Sequence, residues 1–332
     1  MDLEPSDEQS ALVDVFESIA GRSSTIAVVR ATESTGFAPE LWSQLVGAGA
    51  PAIAVPEVAG GNGSGLLDVA LGIEVLGRHV APAPLVEHTV AARLLATLGA
   101  APADVVAGTT VATIALRPAS DGVATLVPAG AVAGLIVALD DDDLVATTGA
   151  APGEAVPNLA YAPLAHRLMI DARVLASGAD AAHAHEQALA EWRALTASAL
   201  VGLGQGALAL GVEYVQQRHQ FGKPIGSFQS IQHTLADVSV ALDGAQLLAR
   251  KACWALDEHA AEAHDLAAMA LLFAAEHAQR ATERALHFHG GYGFMQEYDI
   301  QLYYRRAKGW PLVIDSVPRE LERLSARWYG SG

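Results

Sequence analysis

Two segments carry residue types suited to holding anionic or planar ligands. The first reads Arg218-His219-Gln220-Phe221-Gly222-Lys223-Pro224-Ile225-Gly226-Ser227-Phe228-Gln229. Here a basic residue closes a long apolar stretch, a Gly/Pro turn follows, and Ser227 stands where it can cap the next helix. An arginine beside free helix-end amides, with a flanking glutamine, can hold a phosphate or the polar edge of a ring. The second reads His287-Phe288-His289-Gly290-Gly291-Tyr292-Gly293-Phe294, with Arg305-Arg306-Ala307-Lys308 further on. Paired glycines let a backbone approach a ligand closely. Taken singly, each segment also reads as an ordinary feature: a helix connection with a surface arginine, and a helix end closed by glycine.

Other chemistries find less support. His183-x-His185 and His287-x-His289 are spaced too closely to share a helical face, and no third ligand falls in register. No metal site is expected. Asp140–Asp143 reads as a solvated hairpin turn, the usual fate of a short charge run. No Gly-x-Ser-x-Gly elbow occurs, which disfavours a hydrolase. Cys253 is the single cysteine, so there is neither a disulfide framework nor a CxxC site.

The elements that must position these segments are mostly helical. Ser6 and Gln9 form a capping-box pattern ahead of Leu12, Val13, Phe16 and Ile19 at helical spacing. Residues 40–48, 66–79 and 86–99 read as further helices, with a Pro/Gly loop at 55–63. After Pro102 the pattern changes. Residues 111–116, 123–127, 135–139 and 144–148 are short, β-branched and separated by turn formers, so they read as strands of a small sheet or barrel running to about Leu175. Long Ala/Leu-rich helices follow over 186–218, 229–259 and 260–289, the pattern of an antiparallel bundle. The fold expected is mainly α with a small β-domain: a helical unit over 1–102, a reduced β-domain over 103–180 and a helical bundle over 181–332.

Composition narrows the function. The chain has 332 residues, 52% of them apolar and 17% charged, with mean hydropathy +0.28. That excludes a disordered chain. A net charge of −17 argues against nucleic-acid binding. The start of the chain carries no basic and apolar signal pattern. The longest apolar runs, 131–139 and 266–275, fall short of the roughly 18 residues of a membrane span. A soluble cytoplasmic protein is expected.

The two segments together, in this order, resemble the C-terminal signature of the acyl-CoA dehydrogenase family: Arg-x-x-Phe-Gly, a Gln seven residues on, then a Gly-Gly-x-Gly loop and an Arg-Asp-Ala-Lys-type run. Leu41-Trp42, Val55-Pro56-Glu57 with Gly60-Gly61, and Glu74-Val75-Leu76-Gly77-Arg78 are similar to the family's N-terminal part. The resemblance implies a helical domain, a β-domain and a C-terminal four-helix bundle, together with FAD, an acyl-CoA substrate and an oligomer in which the Arg-x-x-Phe-Gly segment reaches the flavin of a neighbouring subunit. It would place Arg218 on the pyrophosphate or adenylate part and Gln220, Phe221 and Gln229 around it. His287, Gly290 and Gly291 would pack on the adenosine diphosphate portion, His287 standing where the family usually has Gln.

The departures from the family concern catalysis. Removing an α-proton next to a thioester needs a positioned carboxylate. The family supplies a Glu either after the Arg-Asp-Ala-Lys run or before an Arg on the long helix. In the first region this chain offers only Asp315, one residue out of register. In the second it has Trp192-Arg193, with Glu191 one position early and so turned by roughly 100°. The family's Thr-Glu-Pro-x-x-Gly-Ser-Asp loop and Trp-Ile-Thr/Ser segment are not evident between residues 100 and 180. These losses resemble the degenerate partner subunit of bacterial heterotetrameric dehydrogenases acting on steroid side-chain CoA thioesters. Such a chain donates cross-subunit FAD contacts to a homologous catalytic subunit. Two alternatives stay open: a self-sufficient homo-oligomeric dehydrogenase with Asp315 as base, and a flavin-free paralogue that binds a protein or acyl-CoA.

Overall fold

The structure, a computed structural model, describes residues 5–148 and 153–330. Helix α1 (Asp7–Ser23) opens on the expected capping box: the Gln9 amide donates to Ser6 Oγ at 3.2 Å, and the Ser6 amide to Gln9 Oε1 at 3.0 Å. After it come α2 (Ile26–Ala31), α3 (Pro39–Gly47), α4 (Leu66–Arg78), α5 (Leu85–Thr97) and α6 (Ala103–Val106). The short α2 and α6 have too few turns to show a helical period in the sequence.

Six strands come next: β1 (Ala112–Ile114), β2 (Val123–Val127), β3 (Leu135–Asp140), β4 (Asp143–Thr147), β5 (Ala165–Leu168) and β6 (Arg173–Ser177). They form an open four-stranded sheet in the order β1-β3-β4-β6 and a separate β2-β5 ribbon, so the β-unit is not a closed barrel. Strand β1 pairs parallel to β3, and the other pairings in this sheet are antiparallel. Asp140 pairs with Asp143 across a tight turn. The acidic run is therefore a hairpin tip, and no metal-holding cluster occurs among the described residues.

The bundle comprises α7 (Gly178–Gln217), α8 (Gln229–Asp257), α9 (Ala263–Phe288) and α10 (Ile300–Gly309), with α11 (Val317–Tyr329) lying outside it. A two-residue hairpin, β7 (His219–Gln220) and β8 (Lys223–Pro224), joins α7 to α8. By length and apolar composition α7 could cross a membrane, but its apolar window is mostly buried inside the fold, as befits a core helix. It packs against α4 at backbone distance. A Cβ on Gly202 would fall 1.8 Å from the Glu74 carbonyl oxygen, and one on Gly77 would fall 2.0 Å from that of Ala199. Only glycine permits this approach.

Polar groups tie the units together where hydrophobic packing alone would leave their arrangement loose. At the end of α8, Asp257 accepts hydrogen bonds from the Leu66 and Leu67 amides at 2.9 and 3.2 Å, satisfying two orphan donors of α4. Between them, Arg93 on α5 holds Glu191 on α7 through two hydrogen bonds of 3.0 and 3.2 Å.

His88 is fully buried, and its Nδ1 accepts from the Ala112 amide at 3.1 Å. Burial lowers its pKa to about 4, against a smaller opposing pull from the Val105 carbonyl. The folded state thus holds the ring neutral where the unfolded chain takes up a proton. Stability is expected to fall by about 3 kcal/mol as pH drops from 6.5 to about 4. Urea unfolding across that range checks this. His88→Asn, which keeps an acceptor near the Nδ1 position, should lose that component of the acid sensitivity; an unchanged slope would contradict it.

Candidate functional site

The two sequence segments meet at one end of the bundle. Helices α7 and α9 run in the same direction, and Gly211 on α7 packs on Ala285 of α9. Their C-terminal ends are pinned by Tyr214, which stacks on His289 with ring centroids 3.9 Å apart. His289 Nδ1 hydrogen-bonds the Ala285 carbonyl at 2.7 Å, and Tyr298 meets the same ring edge-on. The 218–229 hairpin leaves the end of α7, and the glycine loop leaves the end of α9.

The hairpin projects. Phe221 and Gly222 at its tip both have positive φ, +54° and +77°, as a type I′ turn requires. Glycine adopts that conformation freely, but a phenylalanine does so at a cost of roughly 1–2 kcal/mol. Phe221 is nonetheless 92% exposed. Behind the tip, Phe228 packs edge-on to Phe221 and lies beneath the Lys223 ammonium at 4.4 Å. Gln232 Nε2 donates to the Gly226 carbonyl and closes the turn. Ser227 does not cap α8. It sits in a 3-10 turn and donates to the Pro224 carbonyl at 2.7 Å, leaving Phe228 at the cap position without a side-chain acceptor. The Pro224-initiated turn displaces the serine from that role.

Arg218, Gln220, Gln229, His287, Gly290 and Gly291 are exposed together with Phe221. A cation, amide and imidazole donors, and open glycine backbone with nothing within 4 Å of either Cβ position make a donor set suited to a diphosphate and an adjoining planar group. No other part of the described chain covers this set.

The candidate bases are committed elsewhere. Asp315 Oδ1 accepts from the Ser316 amide, and Oδ2 pairs with Arg323 at 2.8 Å. Partial burial would raise its pKa, but the Ser316 amide and the cations Arg323, Arg319 and Arg117 prevail and hold the carboxyl below its ordinary value. Such a carboxylate is a poorer proton acceptor than a free one. Glu191 is buried and held by Arg93. Arg193, next along α7, is buried against Glu320 of α11, with Nε–Oε2 at 2.8 Å. Between them, Trp192 turns its indole into a cavity of about 110 Å³.

This cavity lies where the helical unit, the β-unit and the bundle meet, walled by Leu76, Pro84, Pro128, Thr196 and Trp310 among others. Glu87 of α5 lines it too, and sequence reasoning missed that residue. An acid in the first turn of a helix looks like ordinary dipole compensation, and nothing in the local sequence shows that the turn faces inward. Burial pushes the Glu87 carboxyl up, against its backbone hydrogen bond and the nearby Trp192 indole. A wider cleft lies between the β-unit and the bundle, bordered by Leu116-Arg117-Pro118 after β1 and by Arg323 and Arg327 of α11.

This architecture has clear relatives. Residues 6–102 match the acyl-CoA dehydrogenase N-terminal domain, and residues 182–312 match the acyl-CoA dehydrogenase C-terminal domain. The chain is 32% identical to the acyl-CoA dehydrogenase IpdE2 of Mycolicibacterium smegmatis over 97% of its own length and 99% of that protein. Among solved structures, a variant of the Tcur3481–Tcur3483 steroid ACAD matches at 29% identity and TM-score 0.85, covering 98% of this chain and 99% of that one. The ChsE4–ChsE5 complex of Mycobacterium tuberculosis matches at 25% identity and TM-score 0.88 over the whole of both chains. The chain belongs to the acyl-CoA dehydrogenase family. Its mainly helical fold with a small β-unit is that family's fold.

Proposed function

We propose that this chain is the partner subunit of a cytoplasmic, heteromeric FAD-dependent acyl-CoA dehydrogenase, donating cofactor contacts to a homologous catalytic subunit. Phe221 carries this reading: a large apolar side chain, in a backbone conformation that phenylalanine disfavours, held out at the tip of a hairpin. Strain of this kind persists where a site needs it, and an aromatic this exposed gains most of its apolar contacts only when a ligand or another chain covers it. The pairings named for the ChsE4–ChsE5 and Tcur3481–Tcur3483 proteins support the same reading.

FAD, when bound, supplies the acceptor for the hydride that leaves the β-carbon of the acyl group. This chain's residues bind and orient. Arg218 pairs with the pyrophosphate, while Gln220 and Gln229 donate amide hydrogen bonds beside it. Phe221 covers the planar part and excludes water. His287, Gly290 and Gly291 offer a donor and open backbone to the adenosine diphosphate portion. The α-proton is taken by a carboxylate of the catalytic subunit; in this chain's two regions that correspond to the family's base positions, Asp315 and Glu191 are each paired with an arginine.

Asp315→Asn in the assembled enzyme is expected to leave turnover within about twofold of wild type, because an ion-paired carboxylate is not the general base. A loss of two or more orders of magnitude, in the range general-base removal produces, would transfer the base to this chain. A bulky, steroid-type acyl group is the substrate class. Steroid side-chain CoA thioesters should be oxidised faster than short linear acyl-CoAs, and equal rates would contradict this.

A further inference from the structure

The Arg218 hairpin and the Gly290-Gly291 loop can grip one ligand only if the distance between them is fixed, and neither segment fixes it alone. The hairpin strands have two residues each, and the Cβ positions of Gly290 and Gly291 meet nothing within 4 Å. The helix ends that carry the two segments also repel. Helices that end side by side bring together the partial negative charges of their unsatisfied carbonyls. A side-chain contact has to hold α7 and α9 together at this end, and a stack of two rings does so.

Tyr214 lies one helical turn before Arg218, and its carbonyl accepts the Arg218 amide at 2.9 Å. The Arg218 carbonyl in turn accepts the Ile225 amide at 2.8 Å. The arginine's backbone is thus tied on both sides, and its place follows that of Tyr214. On α9, His289 directly precedes Gly290, where φ turns to +63°. The His289 side chain is buried, and Nδ1 lies 2.7 Å from the Ala285 carbonyl. A carbonyl only accepts, so Nδ1 carries the proton and donates. The His289 and Tyr214 rings are stacked at 3.9 Å with their planes 25° apart. Tyr298 meets the imidazole edge-on at 5.9 Å, and Tyr292 stacks on Tyr298 in turn. The imidazole is therefore held between two phenol rings, at the point where the chain enters the glycine loop.

We propose that Tyr214 and His289 are positioning residues of the cofactor site: their stack sets the spacing between the Arg218 hairpin and the Gly290-Gly291 loop, so that both segments hold one dinucleotide. This role rests on the cofactor reading above, and Arg218→Ala tells the failure of one from the failure of the other. A residue that places a ligand contact without touching the ligand acts through that contact. Once the contact is gone, its own removal matters less.

The test is flavin dissociation, followed by fluorescence, from the purified complex of this chain with a homologous dehydrogenase chain. Tyr214→Leu should weaken retention by about 3- to 10-fold, the worth of an aromatic pair. His289→Leu should match or exceed this, because it also strips the Ala285 carbonyl of its donor. The double variant should stay within about twofold of His289→Leu, since both single changes remove the same contact. Tyr214→Phe keeps the ring face and should retain flavin within about twofold of wild type. In the Arg218→Ala background, Tyr214→Leu should cost clearly less than it does alone. Val201→Ala is the control for a weakened bundle: Val201 is buried in the middle of α7, about 20 Å from Tyr214. It should lower the melting temperature and leave flavin retention unchanged. If Tyr214→Leu and His289→Leu keep wild-type retention while Arg218→Ala loses it, the positioning role is overturned. An undiminished Tyr214→Leu effect in the Arg218→Ala background, or an equal flavin loss in Val201→Ala, also overturns it, because the stack then only stabilises the bundle. Unchanged retention in Arg218→Ala removes the cofactor reading itself, and the positioning role with it.

Discussion

Glu320→Ala is expected to destabilise the chain by about 3–5 kcal/mol, the usual consequence of stripping one partner from a buried ion pair. Glu320 and Arg193 are each 4% exposed at the side chain, and they meet side-on through two hydrogen bonds of 2.8 and 3.4 Å. Removing the carboxylate leaves a guanidinium, which cannot discharge itself by losing its proton, inside the protein. Arg323 contacts the same carboxylate but is half exposed and can turn to water. Because this pair fastens α11 to α7 beside the longer Arg327–Glu186 contact, its loss should also loosen the far wall of the wide cleft. Urea unfolding measures the effect. The double variant Arg193→Met with Glu320→Leu should recover most of the loss, since replacing a whole buried pair by apolar residues is often neutral or better. A single variant within 1 kcal/mol of wild type would show that the pair is not buried in solution.

Arg218→Ala is expected to weaken flavin retention in the assembled enzyme by about 10- to 100-fold, the worth of a charge-assisted hydrogen bond to phosphate. The residue is exposed in the chain alone, so the melting temperature of the isolated subunit should stay unchanged. That contrast separates a ligand contact from a structural one. Flavin dissociation from the purified complex, followed by the recovery of flavin fluorescence, gives the number. Retention equal to wild type would remove Arg218 from the cofactor site.

The helices were the legible part of the sequence, for local reasons. Ser6 and Gln9 meet three residues apart, and Phe16 and Ile19 mark one face of α1 with no help from elsewhere in the chain. The hairpin at Asp140–Asp143 was equally local. Less was legible where a distant residue decides the outcome. Strands β5 and β6 are short and mix polar with apolar residues on one face, so they lack a clean alternation, and they exist because β2 and β4 pair with them. Arg167 on β5 reads as a surface cation, yet it is fully buried and donates to the Gly130 and Ala133 carbonyls. Ser227 has the right type for a cap, but Pro224 starts a 3-10 turn that takes its hydroxyl.

The residues proposed to contact the cofactor could be read because their chemistry lies in two continuous segments. Their meeting depends on the parallel course of α7 and α9 and on Tyr214 against His289, which no single window of sequence contains. The cavity could not be read at all. Two of its polar groups lie on helices from different units, Glu87 on α5 and Trp192 on α7, and the close crossing of α4 on α7 at Gly77 and Gly202 helps bring these units together. Asp315 was legible as a carboxylate near the family's base position. Its commitment to Arg323, eight residues on, follows from the turn into α11, which brings that helix's second turn back over the carboxylate.

The flavin content of the purified protein tests the central claim most directly. The chain should be produced alone and together with a homologous dehydrogenase chain that carries a catalytic Glu, and the visible flavin absorbance of each product recorded after gel filtration. Flavin in the mixed complex, its absence from the chain alone, and its loss from the complex on Arg218→Ala are the predicted results. A chain that purifies alone with bound flavin would contradict the partner-subunit account.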